Sequence, residues 1–203
     1  MVYRPEEVVN KVQRLLSDVE TEVVEYKSAK NNFDFDDLGK YFSALSNEAN
    51  LRHADAGWLL FGVRNDRTIC GTGYRKEAHE PSVGLRKLKH EVALYTNSGM
   101  TFEEIYELTI ERQRVVVFQI PPASFATPTT WKGVPYSREN ESIVQMPAFK
   151  LTAIYSQARP DWSSQLAYDA NVGDLDSDAV AFACEEYSKK YCLLYTSDAA
   201  DDT

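Results

Sequence analysis

Cysteine is scarce in this chain and badly spaced for cross-linking. Cys70, Cys184 and Cys192 are the whole complement, with no Cys-x-x-Cys pair. That excludes a disulfide framework and a thiolate zinc site, and it fits a reducing cytoplasm. Long apolar runs are missing too. No stretch approaches the ~18 residues of a membrane span. The opening MVYRPEEVVNKV has no apolar run after a basic start, so neither a signal peptide nor a membrane partner is expected. Nor is there a basic excess: 22 Lys and Arg face 31 Asp and Glu, for a net charge of −9. A uniformly basic nucleic-acid binder is thereby excluded, and any such contact must come from a local patch. There is no GxxxxGK[ST] loop. Gly71-Thr72-Gly73 lacks the third glycine and the strand-to-helix setting of a dinucleotide fingerprint. His53, His79 and His90 are not spaced like ligands, and no Ser-His-Asp or Cys-His arrangement stands out.

What is present is enough for one good-sized domain and an appendage. Pro5 opens a first helix with an apolar stripe of Val8, Val12, Leu15 and Leu16. Residues 21–26 read as a β-branched strand. A second helix carries Phe35, Leu38, Phe42, Leu45 and Ala49 on one face, with Asp34 or Asp36 as its N-cap. Residues 58–63 are a continuous apolar run, best placed in a strand buried on both faces. After the turn at 64–67, residues 68–71 begin a returning strand. A third helix over about 82–96 presents Leu85, Leu88, Val92 and Tyr95 inward and Arg86, Lys87, Lys89 and His90 outward. Strands 105–110 and 115–120 form a hairpin. The proline-bearing loop PPASFATPTTW breaks the sheet, and a short strand at 134–138 precedes Asn140, suited to a left-handed turn. Helices at 149–157 and 176–191 flank a linker at 159–164.

The densest chemistry lies in residues 20–73, from ETEVVEYKSAK through SALSNEAN to AGWLLFGVRNDRTICGTG. Glu20, Glu25 and Lys27 fall on the first strand and Asn47 near a helix end, placing carboxylates, a cation and an amide at one end of a small sheet. Strand alternation turns Glu20 and Glu22 to one face and Glu25 to the other. Two carboxylates could hold a divalent cation that activates water for phosphodiester cleavage; a structural Glu25–Lys27 network is the simpler alternative. Arg138 has two candidate roles, as a phosphate or carboxylate fork and as the partner of Glu20, Glu22 or Glu25. Phe125, Trp131 and Tyr136 could stack bases or pack beneath the proline loop.

These motifs resemble the Schlafen/AlbA-like nucleic-acid-binding domain. The likeness rests on the Glu-x4-Glu-aromatic-Lys strand, the helix exit before Ala56-Gly57, the Gly62-Val63 strand, and Tyr136-Ser137-Arg138 followed by Glu141-Ser142. It implies an α+β fold, a mixed sheet flanked by helices with a C-terminal helical appendage. Residues 1–158 would be the nucleic-acid-binding domain and 159–191 a linker and the start of a following region. The likeness further implies the N-terminal module of a bacterial transcriptional regulator or ATP-dependent helicase-like protein. Any ATP site would then lie in the region that follows, and this stretch itself would need no cofactor. On this reading Lys27, Arg64, Arg86, Lys89 and Arg138 contact the phosphates of DNA or RNA. The alternative is a metal-dependent endoribonuclease of Schlafen type using Mg or Mn, with Glu20, Glu25 and Asp66 as catalytic residues. There the third carboxylate position holds Arg64, with Asp66 two residues on, and an arginine at a ligand position repels the metal. A third alternative is a protein-interaction module built on residues 125–131. A homo-oligomer is compatible with all three.

The last segment, residues 192–202 (CLLYTSDAADD), resembles a translated sequencing adapter and is expected to be an appended tail. Without its three aspartates the charge is −6, still acidic.

Overall fold

The computed structural model describes residues 3–17, 22–76, 81–140, 142–157 and 171–191. By its internal contacts the chain divides into two compact units, Met1–Arg159 and Pro160–Thr203.

The first unit is built on a four-stranded mixed sheet. Strand β1 (Val24–Lys27) pairs in parallel with β2 (Gly57–Phe61), which pairs antiparallel with β4 (Gln113–Ile120), and β4 with β3 (Glu104–Ile110). The order is thus β1-β2-β4-β3, and the fold is the expected α+β arrangement with a mixed sheet. Side-chain alternation gives this sheet two apolar faces. Leu59, Phe61, Val116, Phe118 and Ile120 meet α2 (Phe35–Leu51) and α3 (Pro81–Ala93), whose Leu38, Phe42, Leu45, Leu85, Leu88 and Val92 complete that core. Trp58, Leu60, Val115 and Val117 face the other way and, with Val24 and Tyr26, pack on Val8 and Val12 of α1 (Pro5–Ser17). All of β2 is buried, as its unbroken apolar run requires. On β3, by contrast, Tyr106, Leu108 and Ile110 are buried while Glu107 and Thr109 are exposed.

A second sheet, β5 (Thr130–Trp131), β6 (Val134–Glu139) and β7 (Ser142–Gln145), covers another face of α2. Its attachment is polar. Ser43, Ser46 and Asn47 of α2 are fully buried. The Ser43 hydroxyl donates to the Thr129 carbonyl (2.7 Å) and accepts from the Tyr136 amide (3.0 Å). Asn47 donates to the carbonyls of Thr129 and Tyr136 (both 2.9 Å) and accepts from the Thr129 amide (2.8 Å). Asn47 therefore lies inside α2 and ties it to the second sheet, rather than satisfying carbonyls at a helix end. Asp34 is the N-cap, accepting from the Asp37 amide at 2.9 Å. Helix α4 (Ala148–Tyr155) closes this unit.

Several boundaries differ from the sequence reading. β1 starts at Val24, because residues 22 and 23 are in a turn, so Glu22 is not a strand residue. The expected strand at 68–71 is reduced to a single bridge, Val63 to Ile69. Gly62, at φ +91°, bends the chain there, and its carbonyl takes the amides of both Cys70 and Gly71. α3 ends at Ala93, leaving Tyr95 outside the helix, 45% exposed and against Trp131. In the second unit the described residues form a short 3-10 turn (Val172–Asp174) and α5 (Ser177–Tyr191). The expected linker at 159–164 and the adapter-like tail lie outside the described residues. Among those described, no helix is long and apolar enough to cross a membrane.

Candidate nucleic-acid interface

The carboxylate strand leads into a buried ionic network. Glu25 lies on the α2 side of β1 and is 5% exposed. One of its oxygens is 2.6 Å from Lys27 Nζ and the other 2.8 Å from an Arg138 guanidinium nitrogen. Arg138, on β6, is 2% exposed and also donates to the Val24 carbonyl. Lys27 is half-buried, its ammonium over the Tyr41 ring at 4.9 Å. Burial opposes its charge, but hydrogen bonds to Glu25 and Tyr41 outweigh that and hold its pKa above the ordinary lysine value.

A second buried carboxylate, Glu48 of α2, extends the network. It accepts from Lys150 of α4 and from the Arg138 amide at 3.2 Å, and lies 3.7 Å from Arg52. Arg52 in turn pairs with Glu22. Burial tends to raise the Glu22 pKa, yet the hydrogen bond and charge of Arg52 prevail and keep it low. Glu48, Arg52 and Lys150 were not singled out from sequence. The i,i+4 spacing of Glu48 and Arg52 is the one legible signal; the Lys150 contact is long-range and has none.

Of the candidate nuclease residues, the described Glu25 and Asp66 each face other partners. Glu20 lies outside the described residues. Both oxygens of Glu25 are paired with cations, whose positive charge opposes a metal ion there. Asp66 is exposed at the turn after β2, where it accepts from the Thr68 amide (2.9 Å) and hydroxyl (2.6 Å). Those bonds hold its pKa low. Among the described residues no three His, Cys, Asp or Glu side chains are placed to hold a metal. Glu25 and Asp66, the described members of the set, do not fit a divalent cation.

The five cations expected on phosphates separate into two kinds. Lys27 and Arg138 are committed to Glu25. Lys89 is half-buried between α3 and β3, donating to the Glu103 carbonyl at 2.9 Å and 3.0 Å from Glu104. Arg64 and Arg86 are exposed; the Arg64 guanidinium donates to the Thr68 hydroxyl at 3.1 Å and its charge acts on Asp66. Lys27 is on β1 and Lys89 reaches β3, the two outer strands of the sheet, about 14 Å apart by three strand spacings. Of the aromatics, Trp131 is buried between Phe35 and Tyr95 at centroid distances of 5.2 and 5.4 Å, Tyr136 is partly buried, and Phe125 is exposed.

The profile of the Schlafen, AlbA_2 family matches residues 20–147, from just before β1 through β7, and the chain belongs to that family. Its domains are related to nucleic acids. Among solved structures the chain is similar to the DIP2311 protein of Corynebacterium diphtheriae, at 15% identity and a TM-score of 0.51, over 92% of this chain and 35% of that one. It is also similar to the N-terminal domain of a RecG-related protein from Nitrosomonas europaea, at 18% identity and a TM-score of 0.42, over 66% of this chain and 88% of that one. The chain thus spans about a third of the Corynebacterium protein, and that likeness concerns fold alone. No curated protein matches.

Proposed function

We propose that this chain is a nucleic-acid-binding module that grips sugar–phosphate chains by charge and has no catalysis of its own. The observation that carries it is the division of its cations. In a protein of net charge −9, the buried cations neutralise Glu25 and Glu48, while Arg64 and Arg86 stand exposed and, among the described residues, lie within ion-pair distance of no carboxylate. Such exposed cations are what phosphate contacts use, whereas the buried pairs shape the scaffold behind them. Membership of a nucleic-acid-related family supports the same reading. The finer assignment, the N-terminal module of a bacterial transcriptional regulator or helicase-like protein, is part of the proposal.

Fluorescence anisotropy with labelled single-stranded RNA and DNA at two salt concentrations tests it. Micromolar binding that weakens as salt rises is expected, with a log–log slope of about −0.7 per phosphate engaged. Arg64→Gln and Arg86→Gln should each make that slope shallower. Absence of salt-dependent binding at about 100 μM protein, the weak limit of non-specific binding, would overturn the assignment.

A further inference from the structure

We infer that the phosphates are held chiefly in a basin at the C-terminal end of the β1/β2 pair, which takes a sugar–phosphate chain without reading its bases. This inference rests on the nucleic-acid reading above and gives it a place.

Three segments distant in sequence meet there. Because β1 and β2 run parallel, the chain leaves both strands at the same end of the sheet. The antiparallel register, Phe61 opposite Val116 and Ile110 opposite Gln113, brings the β3–β4 hairpin to that end too. Lys30 and Asn31 after β1, Cys70, Gly71, Thr72, Gly73 and Lys76 after β2, and the β3–β4 hairpin line an open basin of about 780 Å3. That size lies within the ~300–1,000 Å3 of ordinary ligand sites. The crevice outside the carboxyl ends of parallel strands is also where open α/β sheets bind ligands.

The lining is cationic and polar. Among the described lining residues, Lys30, Lys76, Arg112 and Arg114 face one carboxylate, Glu107. Arg114 is fixed as scaffold: it pairs with Glu107 at 2.8 Å and donates to the carbonyls of Thr72 (3.2 Å) and Tyr74 (2.9 Å). Lys30, Lys76 and Arg112 are exposed and make no hydrogen bond or ion pair among the described residues. Among the described residues, three cations of an acidic protein thus stand around one concavity without an ion-pair partner. Among the described residues its lining contains no Phe, Tyr or Trp, so it offers no aromatic platform for bases, and recognition falls chiefly to the backbone. Glu107 also lines the neighbouring groove between α3 and β3, where Arg86 and Lys89 stand with Glu104.

The hairpin tip adds an independent sign. Glu111 and Arg112 occupy its two turn positions at φ +51° and +61°. That turn strongly favours Asn-Gly, Asp-Gly or Gly-Gly, because both residues are left-handed. A glutamate and an arginine there are poor choices for folding. Such local departures concentrate where function outweighs stability. Here the departure sets a guanidinium on the rim of the basin.

The test uses anisotropy with a labelled oligonucleotide of about twelve nucleotides, within the span of single-strand sites. Lys30→Gln, Lys76→Gln and Arg112→Asn are expected to weaken binding about 3- to 10-fold each at low salt. Each should also reduce the salt slope by about 0.7. Asparagine suits the left-handed position, so Arg112→Asn should leave the melting temperature unchanged or higher while binding falls, separating affinity from folding. Arg14→Gln, on exposed α1 surface across the sheet, should change nothing. An abasic oligonucleotide should compete as well as one with bases, whereas ATP and inorganic phosphate should compete only weakly. Wild-type binding unaffected by the three basin variants would overturn the site and leave the function standing. Equal competition by ATP would make the basin a nucleotide pocket and overturn the chain-binding claim. No binding by the wild-type protein would overturn both.

Discussion

Replacing Arg138 by methionine is expected to lower the melting temperature by roughly 6–20 °C, the equivalent of 3–5 kcal/mol in a domain of this size. The substitution keeps most of the side-chain volume, so the effect isolates the charge. Removing the guanidinium leaves Glu25, 5% exposed, with one cation instead of two, and strips the Val24 carbonyl of its donor. A buried pair contributes little net stability when intact, because desolvation offsets its Coulomb attraction, but breaking one side strands the other. Lys27 can still neutralise Glu25, which draws the expected loss toward the lower end. The double variant Glu25→Gln/Arg138→Met removes the stranded charge and should be more stable than Arg138→Met alone. Thermal melts of the three proteins decide this. A shift below about 2 °C for Arg138→Met would mean that the network has little structural weight.

Gly39→Ala is expected to destabilise although it improves helix propensity. In the interior of α2, alanine should gain about 1 kcal/mol over glycine. Its Cβ, however, would lie 2.0 Å from two ring atoms of Trp131. The ring cannot yield cheaply, since Trp131 is buried and flanked by Phe35 and Tyr95. Overpacking of this kind costs about 1–3 kcal/mol and occasionally more, and a 2.0 Å approach belongs at the upper end. A net loss near 2 kcal/mol, or roughly 4–8 °C, is expected. In a Trp131→Leu background the same substitution should become neutral or stabilising, because the obstructing ring is gone. Gly39→Ala stabilising the otherwise unchanged protein would contradict the packing described for α2 and β5.

These two residues mark where sequence patterns stop being informative. The β2 strand was legible because four consecutive residues, Trp58–Phe61, are apolar and buried on both faces. The α2 stripe, the β3–β4 hairpin and the left-handed Asn140 (φ +56°) were legible for similar local reasons. The second sheet was only partly so. β5 spans two residues and β7 four, too short for alternation to register. The helix face beneath it is lined by Ser43, Ser46 and Asn47, which an apolar-stripe reading assigns to solvent. Arg138 was legible as a residue with two candidate partners, carboxylate or phosphate; only the placement of β6 beside β1 shows it turned inward onto Glu25. The basin was not legible at all. Lys30, Lys76 and Arg112 are unremarkable loop cations until parallel pairing and strand register bring their segments to one end of the sheet.

The most direct measurement is a map of backbone amide chemical shifts in the isotope-labelled protein during titration with a single-stranded oligonucleotide. Shifts are expected at Lys30 and Asn31, across residues 70–76 and at Ile110–Gln113, diminishing as salt is added. Shifts confined to the proline loop around Phe125, or spread without regard to the basin, would contradict a cationic site at the end of the β1/β2 pair.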